Sequence, residues 1–174
     1  MRSKATLTPS AAAGETDLVT GEYDVVLENH DSTRTLAVRA TTTWPEFPRL
    51  WPVLLDQVWS QLAAAGISSG CPNFMLYRDN TPRVEVGVIY DGDLALTDPV
   101  VVSSLPAGQV ATTTHRGAYS ELGYAHQSVV DWCGKHGLPL SGLRWEIYGP
   151  HSPDPTQART HIGWLLSETA KTPQ

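Results

Sequence analysis

The chain has 174 residues, a net charge of -6 and 41% apolar residues, so it can bury the core of one domain or of two small, closely packed halves. Lys and Arg are scattered singly, which argues against direct binding of nucleic acid. No run approaches the roughly 18 apolar residues of a membrane span, so we predict no membrane association and expect a cytoplasmic protein.

Both ends of the chain look unlike the rest. Residues 1–21 lack the apolar stretch of a secretory signal and are rich in small polar residues, which predicts a disordered leader. The predicted domain covers residues 22–168, and residues 169–174 form a short tail. Cys71 and Cys133 are far apart in apolar surroundings, so we predict two buried, reduced thiols.

The first part of the domain predicts two strands followed by a helix. Residues 23–28 and 35–41 have strand character, and a helical period begins near Leu50. The apolar positions with that period are Trp51, Leu54, Leu55, Val58, Leu62 and Ala65. Because proline is tolerated only in a first turn, the helix is expected to start near Pro52, and Gly66 is expected to end it.

Two strands at residues 73–77 and 83–90 form a predicted hairpin after this helix. Residues 91–108 are predicted to be mostly linker, with a short strand at 100–103.

The same order of elements then recurs. We predict a strand at residues 109–115, a helix with Ser120 as its N-cap and Gly137 at its end, and strands at 143–148 and 160–166. The apolar face of this helix comprises Leu122, Ala125, Val129, Trp132 and Cys133.

Residues 34–90 and 109–166 therefore form a predicted internal repeat. Residues 74–77 align with residues 145–148, which places Met75 over Glu146. The last strands of the two halves align as well, with Gly87 over Gly163. We predict an α+β fold of duplicated strand-helix-strand-strand units, related by a pseudo-two-fold axis, with a ligand cleft between the halves and their sheets.

Glu146 is an unusual residue for a core strand. Strand alternation places Arg144, Glu146 and Tyr148 on one face and the residues between them on the other. A buried carboxylate is costly unless it is paired. It could recognise a ligand, form an ion pair with Arg144 or Arg159, or lie on a wet face of the sheet.

Glu85 also lies within a predicted strand. We expect its face to be solvated, because Arg83 and Gly87 share that face. A carboxylate pair of Glu85 and Glu146 for acid–base chemistry is the alternative. His161, on a strand adjacent to Glu146, could form a proton-transfer pair with it, although a surface histidine is favoured.

Aromatic composition indicates a pocket wall. The chain has six Trp and six Tyr but two Phe, and Trp and Tyr suit a partly polar wall. The candidates near strand ends and helix starts are Trp44, Trp51, Tyr77, Tyr119, Tyr148 and Trp164. Trp51 also has the helical spacing of an ordinary core residue. The histidines lack metal-ligand spacing, and no phosphate-binding motif is present, so we predict no metal and no cofactor.

Five sequence blocks in order resemble the GyrI-like small-molecule-binding, or effector-binding, domain family. They occupy residues 72–77, 84–88, 105–108, 115–119 and 145–150, and the resemblance spans about residues 23–166. It implies the duplicated fold, with Glu146 central in the cleft to meet cationic aromatic drugs, Tyr148 beside it and Tyr119 in the wall. Relatives are often fused to a DNA-binding domain, for which this chain has no room, so a stand-alone member is implied.

The leading hypothesis is a protein that binds a small, planar aromatic, in some cases cationic, drug or natural product, for sequestration or sensing. The alternative is a hydrolase that opens the cyclopropane of a DNA-alkylating natural product, with Glu146 and Tyr148 as catalytic residues. A second alternative is a protein–protein inhibitor, for example of gyrase. The oligomeric state is left open.

Overall fold

The computed structural model describes residues 23–168, so the predicted leader and tail lie outside the described residues. Eight strands and two α helices make up this region. The strands are β1 (Val26–His30), β2 (Thr33–Thr41), β3 (Asn73–Tyr77), β4 (Arg83–Ile89), β5 (Val101–Leu105), β6 (Gly108–Arg116), β7 (Leu140–Tyr148) and β8 (Arg159–Leu166); the helices are α1 (Phe47–Ala64) and α2 (Leu122–Lys135).

All eight strands belong to one antiparallel sheet, in the order β1-β6-β8-β7-β3-β4-β2-β5. The predicted α+β class is confirmed. The sheet is continuous through the β3–β7 pair, so the expectation that each half forms a separate sheet is wrong. The central strand order β6-β8-β7 and β3-β4-β2 is the one that two equivalent units would produce, but the duplication itself stays a prediction.

One face of the sheet curls around an apolar core of its own. Phe74, Leu76 and Trp145 are buried there together with residues of the outer strands. His30, at the end of β1, donates from Nδ1 to the carbonyl of Pro106 at 3.0 Å, which ties the β1 edge to the β5–β6 turn. The curl therefore brings the two edges of the sheet towards each other.

Gly87 and Gly163 make this curl possible. A Cβ on Gly87 would lie 1.8 Å from the carbonyl oxygen of Leu36, and one on Gly163 would lie 2.7 Å from the Trp145 indole. Both glycines are paired with residues of the inner face, Ala37 and Trp145 respectively. Backbone and indole fill the space that a side chain would need, which explains why the two aligned positions share glycine.

Both helices cover the opposite face and leave its middle open. Helix α1 buries Leu54, Val58 and Leu62, packing mainly on β2 and β4, while α2 packs on β6 and β8. The buried residues of α2 are Leu122, Ala125, Val129 and Cys133, as the apolar period predicts, with Trp132 only half-buried. Strands β3 and β7 therefore form the floor of a cleft between the helices.

The structure corrects both predicted helix starts. Helix α1 begins at Phe47, with Pro48 in its first turn, so Pro52 lies inside the helix and not at its start. The predicted N-cap Ser120 lies instead in a single 3-10 turn before α2, whose start has no side-chain cap. Gly66 and Gly137 have φ angles of 82° and 64°, which confirms the predicted left-handed residues after each helix.

Two smaller points concern the cysteines and the helices. Cys133 is a buried free thiol, but Cys71 is only half-buried. Within residues 23–168 no helix has the length and apolarity needed to cross a bilayer.

Candidate functional site

A cavity of about 390 Å³ opens between the helices above β3 and β7. Met75 and Glu146 face each other across these two strands and form its floor. The aromatic side chains that line it are Phe47, Trp51, Tyr77, Tyr119 and Tyr148. A single carboxylate thus lies at the base of a largely aromatic cleft.

Glu146 is 5% exposed and accepts three hydrogen bonds. His126 Nε2 lies 2.7 Å from Oε1, Tyr77 donates to Oε2 at 3.1 Å, and Tyr148 also donates to Oε2. No arginine pairs with it within the described chain, where its one ion-pair contact is His126. The expectations of an ion pair with Arg144 or Arg159, or of a wet sheet face, are therefore wrong.

The contact with Trp164 determines which ring nitrogen of His126 acts as hydrogen-bond donor to Glu146. The indole Nε1, which can only donate, lies 3.0 Å from His126 Nδ1, so Nδ1 accepts and Nε2 carries a proton. That proton is donated to Glu146. Sequence reasoning missed His126, although its position four residues after Leu122 places it on the helix face that looks towards β7.

The two tyrosines stay protonated at any ordinary pH. Burial, followed by the charge of Glu146, raises the pKa of Tyr77 and of Tyr148 far above its usual value. Both hydroxyls therefore act as neutral donors to the carboxylate. Both tyrosine partners of Glu146 are neutral, and no arginine or lysine of the described chain contacts its carboxylate.

A second cavity, of about 370 Å³, lies on the other side of Glu146 and Tyr77. Trp44 and Trp164 line this cavity and not the first one, so the structure divides the predicted site residues. Trp51, Tyr119 and Tyr148 belong to the first cavity, and Glu146 and Tyr77 belong to both.

Arg144 enters the second cavity from β7. Its side chain is surrounded by aromatic rings: Cζ lies 4.9 Å from the ring centre of Trp164, 5.3 Å from that of Tyr77 and 5.8 Å from that of Trp44. Arg144 is 9% exposed, and this burial lowers the pKa of its guanidinium. The sequence placed Arg144 on the face of Glu146 but did not reveal that the aromatic residues enclose it.

Glu85 and His161 lie on the opposite face of the sheet from Glu146. Glu85 is 0% exposed and binds Arg78 at 2.5 Å, Arg39 at 2.9 Å and Ser103 at 2.6 Å, so the expected solvated face is wrong. Burial opposes ionisation, but the hydrogen bonds from Ser103 and Arg78 hold the pKa of Glu85 below its usual value. Strand alternation excludes both residues from a pair with Glu146.

Several solved structures share this fold. The C-terminal domain of EcmrR aligns with a TM-score of 0.68 at 18% identity, over 84% of this chain and 99% of that domain. The match to EcmrR in its DNA complex covers 59% of the EcmrR chain and 85% of this one, with a TM-score of 0.69 and 18% identity.

Two solved structures with lower sequence identity share the fold as well, one bound to a ligand and the other described as a hydrolase. SAV2435, solved bound to tetraphenylphosphonium, aligns with a TM-score of 0.57 at 11% identity, over 83% of this chain and 94% of that one. A hydrolase from Listeria innocua aligns with a TM-score of 0.55 at 13% identity, over 82% of this chain and 91% of that one. These identities show a common fold alone.

No curated protein matches the chain significantly in sequence. A family model, in contrast, matches residues 23–166, which is most of the chain and all but two residues of its described part. The chain therefore belongs to the family of the GyrI-like small molecule binding domain.

Proposed function

We propose that the cleft binds a flat, hydrophobic aromatic molecule that carries a positive charge, so that the protein sequesters or senses it. The observation that carries this proposal is the buried carboxylate of Glu146, which is held by two tyrosines and one histidine and contacts no arginine or lysine of the described chain. A buried charge is unfavourable unless it is paired, and a cationic ligand would supply the missing opposite charge.

The walls of the cleft suit the rest of such a ligand. The volume of about 390 Å³ falls within the usual range of small-molecule pockets. The side chains of Phe47, Trp51 and Tyr119 border it, and aromatic rings attract organic cations as well as flat apolar groups. Tyr119 is 53% exposed and would close over an entering ligand from the rim.

We further infer that the carboxylate lies at a pseudo-two-fold axis. Met75 and Glu146 align in the sequence repeat, and they are also directly paired across β3 and β7. An axis between these two strands would exchange them. Two units would then contribute equivalent walls, while only the second places a charge at the centre.

The relatives support a binding role. SAV2435 was solved with tetraphenylphosphonium, a hydrophobic aromatic cation, and it has the same fold. The C-terminal domain of EcmrR, a protein also solved with DNA, shares that fold, which is consistent with sensing as well as with sequestration.

Titration with rhodamine 6G tests the proposal. Glu146→Gln keeps the shape of the side chain and removes its charge, so it should weaken binding by about 1–3 kcal/mol, or roughly 5- to 150-fold. Quenching of tryptophan fluorescence reports binding, because Trp51 lines the cleft. Glu28→Gln, at an exposed position on β1, removes the same charge away from the cleft and serves as the matched control. Equal affinities of both variants would contradict a role for Glu146 in binding.

Hydrolysis of a reactive aromatic natural product is the second candidate, favoured by the contact between Tyr148 and Glu146. A same-fold protein described as a hydrolase adds support. In a cyclopropane conjugated to a dienone, water attacks the ring carbon, a ring C–C bond breaks, and its electrons move to the carbonyl oxygen. Glu146 would take the proton of the water, and Tyr148 or Tyr119 would donate to the oxygen.

Mass measurement after incubation with catalytic amounts of protein separates the two candidates. A hydrolase would add one water to the alkylator over many turnovers, and Glu146→Gln would abolish the reaction. Protection of one equivalent of alkylator, without a hydrated product, would support binding alone.

A further inference from the structure

Among residues 23–168, no carboxylate makes direct contact with the buried cation Arg144. It is 9% exposed, and its guanidinium makes one hydrogen bond within the described residues, from Nη1 to the carbonyl of Gly142 at 3.3 Å. Glu146 lies two residues away on the same face of β7, about 7 Å along the strand. Its oxygens are bound by His126 and the two tyrosines, so no ion pair with Arg144 forms.

Arg144 lines the second cavity. None of its unpaired N–H groups is among the fully enclosed unpartnered atoms of the described chain, so these groups keep some access to solvent, and the cavity is an open space that the side chain borders. Aromatic rings of Trp44, Tyr77 and Trp164 surround the guanidinium and hold its plane in place. A planar guanidinium held in this way presents a fork of donors that fits a carboxylate.

The remaining lining of the cavity favours one kind of ligand. Trp164 donates its single indole N–H to His126, and Gln127 gives one of its two amide N–H groups to Asp131, which leaves the Arg144 fork as the charged donor of this cavity. Trp44 lines the cavity and is half-exposed at 46%, so part of its side chain remains available for contact with a flat molecule. The cavity thus combines an open cationic donor with aromatic walls.

We propose that this second cavity is a separate compartment for a planar aromatic carboxylate, with Arg144 as its anion contact. The inference rests on the proposed function in one respect, because the two compartments share Glu146 and Tyr77 as a common wall. The first compartment selects positive charge and the second selects negative charge. A molecule with both groups could bridge them along β7.

Calorimetric titration with three probes of one shape tests this assignment: 2-naphthoate, the neutral 2-naphthamide and the cationic 2-naphthylmethylamine. Wild-type protein should bind naphthoate more tightly than naphthamide. Arg144→Gln should weaken naphthoate at least tenfold and change naphthamide by less than twofold. Arg83→Gln, which removes an exposed arginine paired with Asp79, is the matched control and should leave naphthoate binding unchanged.

Two further variants distinguish binding of the carboxylate by Arg144 from a purely structural role of this residue. Glu146→Gln should strengthen naphthoate, because a neighbouring like charge is removed, and should weaken the amine. Arg144→Lys keeps the charge but loses the fork, and it should recover part of the naphthoate affinity.

Equal loss of naphthoate and naphthamide in Arg144→Gln would overturn the proposal, since it would show a packing role only. Equal affinity of wild-type protein for the two probes, or no binding of naphthoate, would overturn it as well. The proposed cation site at Glu146 would be contradicted by different results. These are that wild-type protein does not bind the amine, or that Glu146→Gln leaves the affinity for the amine unchanged.

Discussion

Alanine at Gly87 should destabilise the protein far more than alanine at other glycines. The added Cβ would lie 1.8 Å from the Leu36 carbonyl oxygen and 2.8 Å from the Ala37 Cα, and real Cβ contacts essentially never come closer than 3.0 Å. Both obstacles are backbone atoms of β2, paired with β4 at this point. The two strands must separate by more than an ångström, in the middle of their ladder.

The expected magnitudes follow from what each neighbour can do. Overpacking in a core costs about 1–3 kcal/mol and sometimes more, and a backbone obstacle lies at the upper end, so we expect about 4 kcal/mol or more for Gly87→Ala. Gly163→Ala meets the Trp145 indole at 2.7 Å, and that side chain can shift, so about 1–3 kcal/mol is expected. Gly134→Ala, at an exposed position inside α2 with nothing within 4 Å, should stabilise by about 0.5–1 kcal/mol.

Urea unfolding followed by tryptophan fluorescence measures all three variants. The order of stability should be Gly134→Ala, wild type, Gly163→Ala and Gly87→Ala, from highest to lowest. Total stabilities of domains are about 5–15 kcal/mol, so the last variant could fail to fold, and its soluble yield is then the readout. If Gly87→Ala unfolded at the same urea concentration as Gly134→Ala, the close approach of β2 and β4 would be refuted.

Two further predictions concern titratable groups. Glu85→Gln should lower the free energy of unfolding by about 2 kcal/mol at pH 7, because Arg78 and Arg39 lose their buried partner but keep contact with water. The pKa of Glu85 is lowered in the folded state, so its contribution is complete above the unfolded pKa of about 4.3 and is lost on acidification. In urea titrations, the free energy of unfolding of Glu85→Gln should therefore fall less than that of wild type between pH 6 and pH 3. If the two free energies differed by the same amount at both pH values, the ion pairs of Glu85 would be contradicted. The pKa values of Tyr77 and Tyr148 are raised by burial, so stability present below pH about 10 should fall as pH rises above it. Replacing both tyrosines by Phe should make stability fall less steeply with pH. Absorbance at 295 nm should show that two fewer tyrosines ionise on unfolding of the variant than on unfolding of wild type. An equal number in both proteins would contradict the burial of Tyr77 and Tyr148.

Much of the fold could be read from the sequence because its signals are local. Apolar spacing identified α1, α2 and the strands of both hairpins, and Gly66 and Gly137 marked the helix ends. Helix starts were less well defined, since Pro48 and Pro52 can each occupy a first turn, and the chain between residues 43 and 50 decides which one does. The predicted strand at residues 100–103 is one residue shorter than β5, Val101–Leu105. The extent of β5 is set by its pairing with β2, which the local sequence does not reveal.

The sequence by itself determined that Glu146 and Tyr148 share one face of a strand, because alternation is a property of the extended backbone. It also singled out the Trp and Tyr residues that line the two cavities, but not Phe47. Only the tertiary structure decided what covers each face. The curled sheet buries Glu85 against two arginines, α2 brings His126 to Glu146, and Trp44, Tyr77 and Trp164 meet around Arg144 from three separate segments. Burial and pairing of a charge depend on residues distant in the chain, which no local period can specify.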